Sequence, residues 1–234
     1  MNIAIVGYGK MGKAIEEILI ERGHQVVAKL NRKPKAEDLK DVDVAIEFSN
    51  PEVAFENLKV LLENKIPTIS GTTGWLAHLE EIKTINQENN AAFLYGSNFS
   101  LGVNLFFELN HHLAKLMAKY PEYKVEIEEI HHTQKLDAPS GTAISLAEQI
   151  MENSAIKNWE LDSKTSEENL PIYAKRIDHV PGTHTVSYHS EIDSIEIKHT
   201  AHTRKGFALG AVLAAEWIHG KQGFFTMKDV LGLN

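Results

Sequence analysis

Asn2-Ile3-Ala4-Ile5-Val6-Gly7-Tyr8-Gly9-Lys10-Met11-Gly12 opens the chain with a short apolar run that passes directly into a glycine-rich turn and then into a helical pattern. The G-x-G-x-x-G spacing is informative in this strand-turn-helix context and weak outside it. Each glycine has a steric task. Gly7 permits the tight turn, Gly9 lets the backbone approach a pyrophosphate, and Gly12 allows the helix to pack closely on the strand. Free N–H groups at the helix start would face the anion, so the whole turn, with Tyr8, Lys10 and Met11 between the glycines, is a candidate dinucleotide cradle. The alternative is a tight turn with no ligand.

Outward from this turn, short β-rich runs at 2–6, 25–30, 43–48, 66–70 and 92–96 alternate with helical patterns such as Lys10–Arg22, which Gly23 closes, and Val53–Glu63. That rhythm predicts an α/β, Rossmann-type doubly wound parallel sheet. Beyond Asn98 it changes to a long helix near 102–119, a strand at 123–131, a helix near 142–152 and a polar surface connection over 154–169. Alternating segments at 183–190 and 194–201 follow, as an antiparallel pair, and an apolar helix over Phe207–Ile218 is expected to return to the first sheet. Residues 1–99 plus 206–234 therefore form the dinucleotide-binding domain, and 100–205 a second α+β domain with a mixed or antiparallel sheet, joined at Asn98–Gly102 and near Arg204–Phe207.

The chain has 234 residues, 43% hydrophobic and 24% charged, which is ordinary for a folded protein. A net charge of −8 gives no global field for nucleic acid or anionic lipid. With no cysteine, disulfides, zinc–thiolate sites, iron–sulfur clusters and Cys nucleophiles are excluded. The first residues carry no basic leader, and no apolar run approaches the ~18 residues of a membrane span, so a cytoplasmic protein is expected.

In an open parallel sheet the ligand lies beyond the carboxyl ends of the strands. Asn31-Arg32 falls after the second strand, where Asn31 can bond a ribose hydroxyl and Arg32 can pair with a 2′-phosphate; a solvated loop charge is the competing reading. After the third strand, Glu47-Phe48-Ser49-Asn50-Pro51-Glu52 contains Ser49-x-x-Glu52, the spacing of a capping box. Gly71-Thr72-Thr73-Gly74 offers two hydroxyls beside a nicotinamide ribose, and Gly96-Ser97-Asn98-Phe99-Ser100 leads into the second domain as cofactor contact and hinge.

Glu129-Ile130-His131-His132-Thr133-Gln134-Lys135-Leu136-Asp137-Ala138-Pro139-Ser140-Gly141-Thr142-Ala143 gathers several reactive groups around one turn. His131 and His132 end a strand and point to opposite faces, so one of them faces Lys135; the spacing does not say which. Ser140 is a plausible N-cap, and Gly141 and Thr142 open a helix where the first amides, together with the Ser140 and Thr142 hydroxyls, can bind a substrate carboxylate. Lys135 adds charge, and an ammonium near other cations or in a desolvated cleft can also deliver a proton. Twelve histidines invite a metal reading, but no His-Glu-x-x-His helix or typical zinc spacing is present, so no metal is expected.

Together, Val6-Gly7-Tyr8-Gly9-Lys10-Met11-Gly12, Glu47-Phe48-Ser49, Gly71-Thr72-Thr73-Gly74, Ser97-Asn98-Phe99-Ser100-x-Gly102-Val103-Asn104 and His131-His132-x-x-Lys135-x-Asp137-Ala138-Pro139-Ser140-Gly141-Thr142-Ala143 resemble the dihydrodipicolinate reductase family over almost the whole chain. The resemblance implies hydride transfer from NADH or NADPH to a small cyclic dicarboxylate in lysine and diaminopimelate biosynthesis. It places His131 and Lys135 in the catalytic positions, with His132, Gly141 and Thr142 binding substrate. It also implies a homotetramer assembled through the second sheet. Asn31 stands where many members carry an acid, Thr133-Gln134 fill positions that are often more basic, and the chain is somewhat short for the family. The competing readings are another two-domain NAD(P)-dependent dehydrogenase and a non-catalytic NAD(P)-sensing protein.

Overall fold

The computed structural model describes residues 1–166, 168–203 and 205–233. Arg204, named above in the second connection, lies outside them. The chain divides into two units, Met1–Leu101 with Lys205–Asn234, and Gly102–Arg204.

The first unit is built on six parallel strands, β1 (Asn2–Val6), β2 (Gln25–Leu30), β3 (Val44–Glu47), β4 (Thr68–Ser70), β5 (Ala92–Tyr95) and β11 (Gly223–Phe225), in the order β11-β5-β4-β3-β1-β2. Ile3 and Ile5 of β1 face α1 (Lys10–Glu21) and α6 (Lys205–Ile218), while Ala4 and Val6 join Leu61 of α2 (Pro51–Glu63) on the other side. Farther along that second face, Phe93 packs with Ile82 of α3 (Leu79–Glu88) and Leu58 of α2. Strands covered on both faces must be apolar on both, which explains the unbroken runs in the sequence. The returning helix is α6, as expected. The sixth strand, Gly223-Phe224-Phe225, has no counterpart among the five expected.

Winding reverses between β1 and β3. A topological switch of this kind opens a crevice outside the strand ends.

In the second unit α4 (Leu101–Met117) and α5 (Gly141–Glu152) cover one face of a five-stranded mixed sheet. Its order is β10-β9-β6-β8-β7, with β6 Lys124–His131, β7 Asn158–Leu161, β8 Asn169–Arg176, β9 Gly182–His189 and β10 Ser194–Ala201. Strands β9 and β10 form the expected antiparallel pair, and β6 runs parallel to β8. The stretch read as a plain surface connection holds β7, paired in parallel with β8. Ile127, Ile172 and Val186 meet Phe106, Leu146 and Ile150 in the core. Buried Asn110 ties α4 to α5 by donating to Leu146 O at 3.1 Å and Gln149 Oε1 at 2.8 Å. Among the described residues no helix is long and apolar enough to cross a membrane.

Candidate active site

In the first unit the glycine turn has the shape expected of it. Gly7 adopts φ +92°, and a Cβ there would lie 2.1 Å from Phe48 O; at Gly12 it would lie 2.6 Å from Gly7 O. Gly9 is the N-cap of α1 with open space around it and no side chain capping the first amides. The Asn31 Oδ1 accepts the Tyr8 N–H at 2.7 Å, so this residue shapes the turn while lining the cavity beside it. Arg32 reaches Asp38 with two bonds of 2.7 Å, and Lys33 pairs with Glu56 at 2.5 Å. These residues border a cavity of about 590 Å³ with Gly7, Gly9, Phe48 and Ser49. Asn57, missed in the sequence reading, also lines it, and its buried Oδ1 has no hydrogen-bond partner among the described residues. A backbone cradle that a Cβ would fill, a lined cavity at the switch point and an orphaned acceptor fit a dinucleotide.

Several expected cofactor side chains point elsewhere. Phe99 packs into the core, only 2% exposed, which leaves its backbone for a ligand, and partly buried Met11 packs against the same core. The Tyr8 hydroxyl is turned toward Glu16. Ser49 is not a helix cap: α2 starts at Pro51 after Asn50, and the Ser49 hydroxyl donates to Glu47. Fully buried Glu47 also receives Ser49 N–H at 3.0 Å, Thr72 Oγ1 at 2.9 Å and Ser70 Oγ at 2.7 Å. The Thr72 hydroxyl therefore faces inward as part of a clamp, and exposed Thr73 keeps the outward place. Phe48 covers Gly71, whose Cβ would fall 2.2 Å from its ring, and packs tilted against Phe99 with ring centroids 5.5 Å apart. Gly96 is buried against Phe99, Ser97 is exposed, and Asn98 Oδ1 accepts Ser100 N–H at 2.9 Å, opening α4.

The second unit gathers a set of reactive groups of its own. The Lys135 ammonium sits on Asp137 at 2.7 and 2.8 Å and holds that carboxyl below the usual carboxylate range. Ser140, expected among the substrate contacts, instead uses its buried hydroxyl to cap α5, accepting Ala143 N–H at 3.2 Å, and to meet His184 Nε2 at 3.0 Å; the Gly141 and Thr142 amides have no partner among the described residues. Buried His131 lies within the repulsive field of Lys135, and half-buried His132 borders a cavity with Thr133 and His179. His131 Nδ1 lies 3.4 Å from Glu129 Oε2 without the alignment of a hydrogen bond. Burial pulls the His131 imidazole below its ordinary pKa, against the opposing pull of Glu129. His184, 3.0 Å from Ser140 Oγ, is pushed down to about 3 by burial and is neutral at pH 7.

One consequence is measurable. An unfolded His184 takes up a proton below its ordinary 6.5 whereas the folded one resists until about 3, so its contribution to stability is present above 6.5 and lost as pH falls toward 3. One proton gives a slope of at most about 1.4 kcal/mol per pH unit. The melting temperature is expected to fall between pH 6.5 and 5, above the range where most carboxylates titrate, and to fall less in His184→Gln; calorimetry across this range checks it.

A family model described as "Dihydrodipicolinate reductase, N-terminus" matches residues 1–99, and one described as "Dihydrodipicolinate reductase, C-terminus" matches residues 102–231. The chain belongs to the dihydrodipicolinate reductase family. Within it, a curated 4-hydroxy-tetrahydrodipicolinate reductase from Christiangramia forsetii is 56% identical over 234 residues, 99% of this chain and 98% of the relative. One from Methanocaldococcus jannaschii is 37% identical over 200 residues, 82% and 72% of the two chains. A solved structure, "Dipicolinate bound Dihydrodipicolinate reductase from Paenisporosarcina sp. TG-14", superposes with a TM-score of 0.78 over 98% of each chain at 24% identity, a likeness of fold.

In this dihydrodipicolinate reductase family member, the sequence reading missed Glu129 as a hub and passed over Arg176, and it left His184 among the histidines with a structural, substrate-contacting or solvent-exposed role. The ligand atoms of Glu129, His131 and His184 all lie within 4.8 Å of one another, close enough to hold a metal ion. A cation is already in place, however: Arg176 Nη2 donates to Glu129 Oε1 at 3.2 Å, and that guanidinium balances the carboxylate. Spacing along the chain could not reveal the cluster, because its members come from β6, β8 and β9. The one local signal is a histidine inside the otherwise uncharged run Thr183-His184-Thr185-Val186.

Proposed function

We infer that this chain catalyses the NAD(P)H-dependent reduction of 4-hydroxy-tetrahydrodipicolinate to tetrahydrodipicolinate in lysine and diaminopimelate biosynthesis. The observation that carries the reading is the second unit's turn, which carries the Lys135 ammonium and runs into two helix-start amides with no partner among the described residues, as a diacid requires. Net reduction consumes a hydride and a proton and releases water. The nicotinamide, when bound, supplies the hydride. The amides of the Gly7–Gly12 turn hold its pyrophosphate, with Arg32, Phe48, Ser49, Thr73, Ser97 and Asn98 around the remainder.

For the substrate, the Gly141 and Thr142 amides and the Thr142 hydroxyl take one carboxylate, and Ser140 keeps the helix start in shape. His132 borders the same turn. Lys135 places positive charge where electron density builds on the ring and donates the proton, with His131 as its neighbour; general-acid help of this kind is worth roughly 10²–10⁴-fold. Asp137 orients the ammonium until the diacid arrives. The family likeness further supports a cytoplasmic homotetramer joined through the second sheet, with neither nucleic acid nor membrane as partner.

Absorbance at the nicotinamide band, followed with either cofactor and freshly generated substrate, tests the reading. Substrate-dependent loss is expected; cofactor binding without oxidation would instead mark an NAD(P)-sensing protein. In the same assay Arg32→Ala should raise KM for NADPH roughly tenfold and leave that for NADH unchanged, since one charge-assisted phosphate contact is removed.

A further inference from the structure

We propose that Glu129 is the positioning residue of the substrate turn, holding the end of β6 and the start of α5 in one arrangement through a single buried carboxylate. The proposal rests on the reading of Lys135, His131 and the α5 start given above. Glu129 is fully buried, and a carboxylate removed from water is costly unless every lone pair is used. Here each oxygen holds one hydrogen bond, one from the turn and one from β8. Oε2 accepts the Ser140 N–H at 3.1 Å, immediately before the two amides assigned to the substrate. The same oxygen lies 3.4 Å from His131 Nδ1 and 3.7 Å from His184 Nε2.

Oε1 receives Arg176 Nη2 at 3.2 Å, and that nitrogen also donates to the Asp137 carbonyl at 2.7 Å. The Glu129–Arg176 pair thus touches the strand end, the residue that grips Lys135 and the helix cap. Apolar side chains of the same volume commonly replace a buried ion pair with no loss of stability, so stability alone does not account for the charge. Orientation does. The charged and titratable groups facing Glu129 are His131 on its own strand, Arg176 on β8 and His184 on β9, with Lys135 and Asp137 nearby in the turn. Glu129 also raises the affinity of His131 for a proton, against burial.

Glu129→Gln keeps the side chain's shape, removes its charge and sets an amide against Arg176. In the intact enzyme it is expected to lower kcat/KM for the substrate by about 10²-fold, the scale of a misplaced reacting group, with the Kd for NADPH unchanged in a fluorescence titration. The limb of the pH profile that reports His131 should move to lower pH. Unchanged kcat/KM in a folded variant would overturn the proposal, and so would an equal loss of NADPH affinity, which marks general damage. If Glu129→Gln fails to fold, Glu129→Asp decides: it keeps the charge for Arg176 but falls short of Ser140, and the same selective loss is expected, normal kinetics being contradictory. Lys135→Ala assayed alongside separates the levels. Full turnover there sinks the reading of the turn itself, whereas an inactive Lys135→Ala beside a normal Glu129→Gln sinks only the positioning role.

Discussion

Lys135→Ala is expected to lower kcat by about 10²–10⁴-fold while the Kd for NADH or NADPH stays where it was. Lys135 is the proton donor of the account, and no other ammonium lies in the segment from His131 to Thr142. Its partner Asp137 has an exposed side chain, so the variant strands no charge in the interior and should melt close to the parent. The residues assigned to the cofactor all belong to the other unit of the chain. Steady-state kinetics with a fluorescence titration of the dinucleotide would check both halves, and preserved kcat would remove Lys135 from the chemistry.

Gly7→Ala should be nearly as damaging for a different reason. The residue sits at φ +92°, and its new methyl carbon would lie 2.1 Å from Phe48 O and 2.6 Å from Ser49 N. Both are backbone atoms of the β3 turn, which Glu47 fastens from below through Ser49 and Thr72, so they cannot step aside cheaply. Backbone strain of about 1–3 kcal/mol adds to overpacking of about 1–3 kcal/mol. For a chain of this size the melting temperature should fall on the order of 5–15 °C. Dinucleotide affinity should drop at least about tenfold, or ~1.4 kcal/mol. Gly9→Ala is the contrast. Nothing lies within 4 Å of its Cβ position, so it should melt like the parent while still obstructing the ligand. Equal melting temperatures for the two variants would contradict the geometry of the turn.

What the sequence made legible follows from how locally each feature is encoded. Strands β1 and β3 are buried on both faces and declare themselves as apolar runs next to turns. By contrast, Gly223-Phe224-Phe225 is a strand only because β5 lies alongside, and Asn158–Leu161 only because β8 does; neither segment is long enough to carry a period of its own. Strand β8, which is not among the expected strands either, carries Pro171, a residue that argues against a central strand. The same distinction holds in the site. The cap at Ser140 and the steric tasks of Gly7 and Gly12 are local and were readable, whereas Thr72 carries the right hydroxyl in the right turn but aims it at Glu47. Asn31 likewise spends its oxygen on Tyr8. Side-chain direction depends on partners from other strands, and adjacency in sequence does not encode it.

The central claim is that the turn from His131 to Thr142 grips the diacid. A crystal structure of this chain with NADH and dipicolinate tests it most directly. The account predicts a carboxylate on the Gly141 and Thr142 amides, with the Lys135 ammonium moved from Asp137 to the ligand. Dipicolinate bound away from that turn, with Lys135 still paired to Asp137, would contradict it.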